Sequence, residues 1–174
     1  MKITNEWLSA TAQRAHGISK EKGFYDEPES LISRLGLIMD EFSEANEARR
    51  RGKFANLDGV ADLTDEQFSW IFKCCIKDSF EDELADVVIR CLDMAAYEGF
   101  EVDTYTIPTT DFIDTKFNCG AFIHDISEYL SVTINKVLSH VIAFCEAEQI
   151  DLMQHTELKL KYNATRPRKH GKSY

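Results

Sequence analysis

One segment of this chain, residues 80–98, is apolar on almost every side when it is drawn as a helix. Helices of that kind are normally buried inside a protein. Charged groups enter a protein interior only when they are paired or bind a metal. The segment therefore predicts a buried helix, with one charged stripe that faces either other carboxylates or basic partners. The stripe consists of Glu83, Asp86, Arg90, Asp93 and Tyr97.

Two pairs of carboxylates, each spaced three residues apart, lie in two apolar-periodic segments. They are Glu41 with Glu44, and Glu83 with Asp86. Residues three apart share one face of a helix. If the two helices pack together, four carboxylates converge, and their repulsion is hard to tolerate without a cation between them. The pairs predict a site for a hard divalent ion, Mg²⁺ or Mn²⁺.

The register of the first acidic helix separates its carboxylates into two groups. Glu41 lies beside the core-facing stripe and Glu44 just beyond it, so both are expected to be half-buried, whereas Asp40 and Glu47 point to solvent. The alternative is an ordinary solvated acidic face, with Arg90 paired to Glu83 or Asp86. The core-facing residues are Leu31, Leu35, Ile38, Phe42 and Ala45.

Four sequence segments together resemble the MazG-like branch of the all-alpha nucleoside triphosphate pyrophosphohydrolases. They read DEFSE at 40–44, FEDELADVVIR at 80–90, YNATRPRKHGK at 162–172 and EKGFY at 21–25. The interval between the two acidic motifs is longer than is usual in that family, as if residues 54–79 were inserted. Residues 104–155 match no motif of the family.

The resemblance implies a single domain, residues 1–174, folded as an all-α bundle of about five helices with a basic C-terminal tail at 156–174. The implied activity is Mg²⁺-dependent hydrolysis of a nucleoside triphosphate, ribo or deoxy, to the monophosphate and pyrophosphate in nucleotide-pool housecleaning. Glu41, Glu44, Glu83 and Asp86 would bind the metal, and Glu41 and Glu44 are candidates for the catalytic base. Family members are commonly dimers or tetramers, so a homo-oligomer is expected.

Substrate contacts are expected from both ends of the chain. Lysines would contact phosphates, and an aromatic side chain at 24 or 25 would stack on the base. The alternatives are a loop whose aromatics tuck under the bundle and a solvated tail. The candidates are Lys20, Lys22, Phe24, Tyr25, Asn163, Arg166, His170 and Lys172.

Charge and composition narrow the class of protein. The net charge is −10, which argues against a general nucleic-acid surface. Residues 156–174 carry six cations and one acid, so this tail is +5 and the rest of the chain is −15. An N-terminus without an apolar run and the absence of a span-length stretch predict a cytoplasmic protein without a membrane anchor. Five cysteines without CxxC spacing predict reduced packing residues.

The helices are expected at about 4–16, ending near Gly17, and at 29–51, 65–76, 80–98 and 118–148, with a loop at 104–115. The apolar stripe of the last helix, which runs from Phe122 and Ile126 through Ile134 to Cys145, suits either the core or an oligomer interface.

Two other functions compete with hydrolysis. A di-metal carboxylate oxidase needs Glu-x-x-His pairs, which neither acidic motif provides. A noncatalytic helical module would bind a protein partner through residues 118–148.

Overall fold

The protein folds as a set of packed helices, as expected from the sequence. The structure is a computed structural model that describes residues 3–61, 63–104 and 130–171, and no strand occurs in these ranges. A π-helical turn (Phe72–Ile76) and a short 3₁₀ turn (Arg168–Gly171) accompany the α-helices. The α-helices in the described ranges are α1 (Asn5–Glu21), α2 (Leu31–Arg50), α3 (Asp65–Ile71), α4 (Phe80–Glu98), α5 (Leu130–Ala147) and α6 (Leu152–Thr165).

The helix that carries the second acidic motif has well-defined ends. Its N-cap, Ser79, accepts a hydrogen bond from the amide of Asp82. Its C-terminal Gly99 adopts a φ of 75°, the left-handed conformation that glycine accepts without strain. These two caps fix α4 at the expected residues, and so the register of its charged stripe is fixed too.

The first helix is longer than expected. It continues through Gly17 to Glu21, because Ala15 and Ile18 on either side of the glycine still pack against the bundle. The chain turns only at Gly23, whose φ is 80°. The expectation that α1 stops near Gly17 was therefore wrong, and the shift carries Lys20 onto the last turn of the helix.

Helix α4 is the centre of the bundle. It packs against α1, α2, α5 and α6, and α2 and α1 have the most extensive contact with it. Removing such apolar side chains from water is worth about 1.5–3 kcal/mol for each fully buried Leu, Ile or Val. The main core includes Leu8, Ile38, Val87, Leu92, Ile134 and Leu138.

A second, smaller core joins α3 to α6. Phe68, Phe72, Ile76 and Tyr162 are all buried in it. The rings of Phe72 and Tyr162 stack with centroids 4.3 Å apart and an angle of 13° between their planes. Residues 54–79, expected to be an insertion, thus pack directly against the C-terminal helix.

Helix α5 contributes its apolar stripe to the main core. Ile134, Val137, Val141 and Cys145 are buried there. The predicted start of this helix, with Phe122 and Ile126, lies outside the described residues. Of the predicted loop at 104–115, only residue 104 is described. The expectation that no stretch could span a membrane needs correction, because α5 is long and apolar enough to do so by length and composition alone.

A helix that was not predicted from the sequence spans the boundary between residues 104–155 and the basic tail at 156–174. Residues 152–165 form a regular helix, α6, whose N-cap Asp151 accepts from the amide of Gln154 at 3.0 Å. The start of the expected basic tail is therefore part of the bundle. The side chain of Lys159, in the middle of α6, is only 6% exposed.

Candidate metal centre

Three of the four expected metal ligands converge where α2 crosses α4. Glu41, Glu83 and Asp86 each offer one carboxylate oxygen to a cluster in which these atoms lie within 4.8 Å of one another. Glu41 and Glu83 are 8% and 3% exposed. An oxygen-only donor set of this kind suits Mg²⁺ or Mn²⁺.

Glu44 does not join this cluster. It is exposed on α2, and Glu41 is more deeply buried than the expected half-buried position. The two residues differ because the step of three residues rotates Glu44 past the edge of the α2–α4 contact. Asp40 is exposed, as expected, and Glu47 forms ion pairs with Arg50 and Arg51.

Two buried or half-buried cations neutralise part of the acidic cluster. The Nζ of Lys159 lies 2.7 Å from Asp82 Oδ2 and 2.6 Å from Asp86 Oδ2. The Nε of Arg90 donates a hydrogen bond to Glu41 Oε1 at 3.0 Å. Neither Asp82 nor Lys159 was singled out from the sequence. Arg90 pairs with the acid on α2 and not with Glu83 or Asp86 on its own helix.

The charges within the centre do not cancel. The four carboxylates of Glu41, Asp82, Glu83 and Asp86 face the two cations of Arg90 and Lys159, so two negative charges are uncompensated when all groups are ionised. Within the described residues, no hydrogen bond or ion pair reaches the carboxylate of Glu83. A buried carboxylate without a partner is costly unless it is protonated or binds a cation.

Proton affinities at the centre reflect this imbalance. Burial, and then the neighbouring Asp86 charge, raises the pKa of Glu83 to about 8. The same two causes raise the pKa of Glu41 to about 7, although Arg90 opposes the shift. A bound divalent cation would stabilise both carboxylates in their charged form and so displace these protons.

The segments near the two ends of the chain meet one another. The amide of Lys169 donates to the carbonyl of Lys22 at 2.7 Å. The rings of Phe24 and His170 meet edge to face with centroids 4.9 Å apart. The segment that contains Lys22 and the segment that contains Lys169 thus lie side by side, with the rings of Phe24 and His170 in contact.

A second contact between the ends forms at Gly23. The guanidinium of Arg168 forms an ion pair with Asp26. A Cβ on Gly23 would lie 2.7 Å from Arg168 Nε and 2.7 Å from Asp26 Oδ2. The positive φ favours glycine at this position, and any larger residue would also displace the ends of these two side chains.

His170 lies within electrostatic reach of Arg166 and of the Asp86 carboxylate. Burial, and then the charges of Arg166 and Arg90, lower the pKa of His170 to about 4, while Asp86 opposes the shift. The imidazole is therefore neutral at physiological pH and can donate one hydrogen bond. The guanidinium carbon of Arg166 lies 5.7 Å from the centroid of the Tyr162 ring.

Tyr25 belongs to a different cluster. Its hydroxyl donates to Asp93 Oδ1 at 2.7 Å, and its ring stacks on Tyr97 with centroids 4.7 Å apart. His16 Nδ1 lies 2.9 Å from the same Asp93 oxygen. One face of the Tyr25 ring is thus covered by Tyr97, which favours Phe24 over Tyr25 as the residue that contacts a ligand beside the carboxylates.

The remaining residues expected to contact the substrate lie in different environments. Lys20 is exposed, whereas Asn163 is buried on α6 and its Oδ1 has no hydrogen-bond partner among the described residues. Lys172 lies outside the described residues. Of the cysteines, Cys91 and Cys145 are buried packing residues with free thiols, as expected.

Comparison with known proteins adds no assignment. No protein-family model, curated protein or solved structure matches this chain. What the chain offers is an all-α fold with a buried cluster of carboxylates that can hold a metal ion, bordered by basic and aromatic groups.

Proposed function

We propose that this protein is a Mg²⁺-dependent nucleoside triphosphate pyrophosphohydrolase, which cleaves between the α and β phosphates of a ribo- or deoxyribonucleotide. The observation that carries the proposal is the convergence of Glu41, Glu83 and Asp86 within 4.8 Å, with Glu83 lacking any partner in the described part of the chain. The segments that carry Lys22, Phe24 and His170 contact one another, and His170 is near enough to the cluster for the charge of Asp86 to act on its pKa. A metal-bound triphosphate needs both features.

Glu41, Glu83 and Asp86 would hold the ion. Mg²⁺ bound there would neutralise charge on the phosphates and polarise an attacking water. The two internal cations have a positioning role. Arg90 holds the Glu41 carboxylate in place, and Lys159 holds Asp86 and prevents its repulsion of the neighbouring acids.

The exposed Glu44 suits the role of general base. It lies one turn from Glu41 and increases the pKa of that carboxyl through its charge, so the two are near neighbours. It is outside the metal-binding cluster and in contact with solvent, where a water molecule can reach it. The water oxygen would bond to the α-phosphorus, its proton would pass to Glu44, and the bond from the α-phosphorus to the bridging oxygen would break to release pyrophosphate.

The C-terminal segment would contact the phosphates. Arg166 supplies a permanent positive charge, and the neutral imidazole of His170 supplies a hydrogen-bond donor. Phe24, whose ring contacts His170, would cover the sugar or base. The residues that surround the nucleotide would set the base and sugar preference. Hydrolysis of a panel of nucleotides measures this preference.

The competing proposal, a noncatalytic partner-binding module, depended on an apolar stripe at residues 118–148. In the described part of that stripe, Ile134, Val137 and Val141 are all at most 4% exposed because they pack into the main core. These side chains are not available to a protein partner. Hydrolysis is accordingly the better supported function, with nucleotide-pool housecleaning in the cytoplasm as the proposed role and a homo-oligomer as the proposed assembly.

The test is pyrophosphate release from the standard ribo- and deoxyribonucleoside triphosphates in Mg²⁺ and in Mn²⁺. The expected result is release of pyrophosphate and the matching monophosphate from at least one nucleotide, and none in EDTA. Glu83→Gln should reduce the rate by about a hundredfold or more, the size of the loss when one electrostatic contact to the reacting group is removed.

Glu101→Gln is the matched control, since Glu101 is exposed and follows the C-terminal end of α4, whereas Glu83 lies on the first turn of that helix. It should retain the wild-type rate, and circular dichroism should show equal helicity in both variants. Failure of the wild type to hydrolyse any nucleotide, or an equal rate in Glu83→Gln, would refute the proposal. Light scattering on the same samples measures the oligomeric state.

A further inference from the structure

A second group of carboxylates lies next to the candidate metal centre. Asp78, Asp82 and Glu83 each offer one oxygen to a cluster in which these atoms lie within 4.8 Å of one another. Glu83 belongs to both clusters. Asp78 comes from the turn before α4, whereas Asp82 and Glu83 lie on its first turn, so the group joins a loop to the helix start.

The Asp82 side chain points to a missing partner in this group. It is 0% exposed, yet its Oδ1 atom has no hydrogen-bond partner in the described structure. Its other oxygen, Oδ2, is already engaged by Lys159 Nζ at 2.7 Å and by the amide of Asp78 at 2.9 Å. Oδ1 is therefore the oxygen that Asp82 has left to offer to an ion. Buried polar atoms in native proteins almost always have a partner.

The lysines that pair with Asp78 are not fixed in place and can be displaced by an ion. Lys77 and Lys53 form ion pairs with Asp78, but their side chains are 34% and 51% exposed. Flexible, solvated lysines of this kind can swing away at little cost. Lys159 differs from them because it is buried and is held by two carboxylates.

We propose that Asp78, Asp82 and Glu83 form a second divalent-cation site, which shares Glu83 with the site of Glu41, Glu83 and Asp86. The donor set consists only of carboxylate oxygens, so the ligand is a hard ion such as Mg²⁺ or Mn²⁺. Ions that share a carboxylate lie close together, roughly 3.5–4 Å apart in two-metal sites. This inference rests on the proposed function only for the identity of the first ion and for the effect on turnover.

The test is Mn²⁺ binding to the full chain. Equilibrium dialysis measures the number of bound ions, and electron paramagnetic resonance measures their coupling. The wild type should bind two ions per chain and show the spin-coupled spectrum of a close Mn²⁺ pair. Asp78→Asn should bind one ion and show an uncoupled spectrum. Asp58→Asn, a change of the same chemistry at an exposed loop residue, should behave as the wild type.

A second variant keeps the test decisive if Asp78→Asn folds poorly. Lys77→Gln removes an ammonium that competes for Asp78, so it should tighten binding of the second Mn²⁺ several-fold. A single bound ion in the wild type, an uncoupled spectrum at two bound ions, or no change of affinity in Lys77→Gln would each overturn the proposal.

The outcomes also separate this inference from the proposed function. Nucleotide hydrolysis by a protein that binds one Mn²⁺ would leave the function intact and remove the second site. Two coupled ions in a protein that hydrolyses no nucleotide would leave the second site intact and remove the function.

Discussion

Lys159 and Asp82 form a buried ion pair across 77 positions of sequence, with 2.7 Å between Nζ and Oδ2. The lysine belongs to α6 and the aspartate to the first turn of α4. Two carboxylates hold the ammonium in its charged form and raise the pKa of Lys159 despite burial, which opposes the shift. The C-terminal helix therefore supplies a fixed positive charge to the centre of the bundle.

Replacing Lys159 by methionine should destabilise the protein strongly. The change keeps most of the side-chain volume but leaves Asp82 and Asp86 without their cation, and removing one partner of a buried ion pair typically costs about 3–5 kcal/mol. The free energy of unfolding in urea measures the loss. Lys161→Met on the same helix, whose side chain is 46% exposed, should change it by less than about 1 kcal/mol. Similar values for the two variants would contradict the role assigned to Lys159.

The metal-free protein should lose stability as the pH rises from about 5 to about 8. The folded protein raises the pKa of Glu83 to about 8 and that of Glu41 to about 7, so it keeps protons that the unfolded chain releases near the ordinary glutamate pKa of 4.5. The unfolded state then binds fewer protons, and the free energy of unfolding falls with a slope of at most about 1.4 kcal/mol per pH unit for each such group.

Urea unfolding in EDTA across this pH range measures that slope, and addition of Mg²⁺ should restore more stability at pH 8 than at pH 5. Glu83→Gln should flatten the profile because it removes one of the titrating groups. A profile in EDTA that rises between pH 5 and 8 would show that these carboxylates are not buried together.

Gly23→Ala should displace the C-terminal segment. The φ of 80° costs an alanine about 1–2 kcal/mol, and the new methyl group would collide with Arg168 and Asp26. Hydrogen exchange at residues 166–171 should increase, and the KM for any hydrolysed nucleotide should rise more than kcat falls. Gly17→Ala is the matched control: nothing lies within 4 Å of its Cβ position inside α1, so it should stabilise by about 0.5–1 kcal/mol. Unchanged exchange in Gly23→Ala would refute the contact.

Phe72→Ala should unfold the protein more easily and also reduce hydrolysis. The ring is 0% exposed, and Phe→Ala changes in a core cost about 3–5 kcal/mol. Its loss would also loosen α6, because Phe72 stacks on Tyr162 and its centroid lies 5.8 Å from Lys159 Nζ. Trp70→Ala, at a residue that is 64% exposed, should change stability by about 0.5 kcal/mol or less. Chemical denaturation and steady-state rates test both variants.

The sequence predicts α4 and its acidic stripe well because several local signals agree there. The serine cap, the nearly continuous apolar surface and the terminal glycine all indicate one helix from Phe80 to Glu98. The pairing of α2 with α4 followed from the two carboxylate pairs, and the structure does bring Glu41 next to Glu83 and Asp86. Glu44 was misplaced because the spacing of a motif does not say how far an interface extends around a helix.

Lys159 was not predicted as a buried residue because a buried lysine has no local sequence pattern. Its neighbours Lys161 and Arg166 made the region read as a solvated tail, and the partners that bury it lie 77 and 73 positions earlier in the chain. One signal was present: Asp151 is a good N-cap, and Leu152, Thr156 and Leu160 follow it at helical spacing. The π-helical turn at Phe72–Ile76 has no comparable signature.

The aromatic cluster shared by Phe72 and Tyr162 limits how far the chain can be trimmed. The amide of Phe80 donates to the carbonyl of Lys53 at 2.9 Å, so the ends of residues 54–79 lie close enough to be joined by a short linker. Deleting residues 54–79 would nevertheless expose Tyr162 and Leu158, and the resulting apolar patch on the last helix would promote aggregation. Residues 54–79 thus cover an apolar helix face that other proteins cover by binding a second subunit.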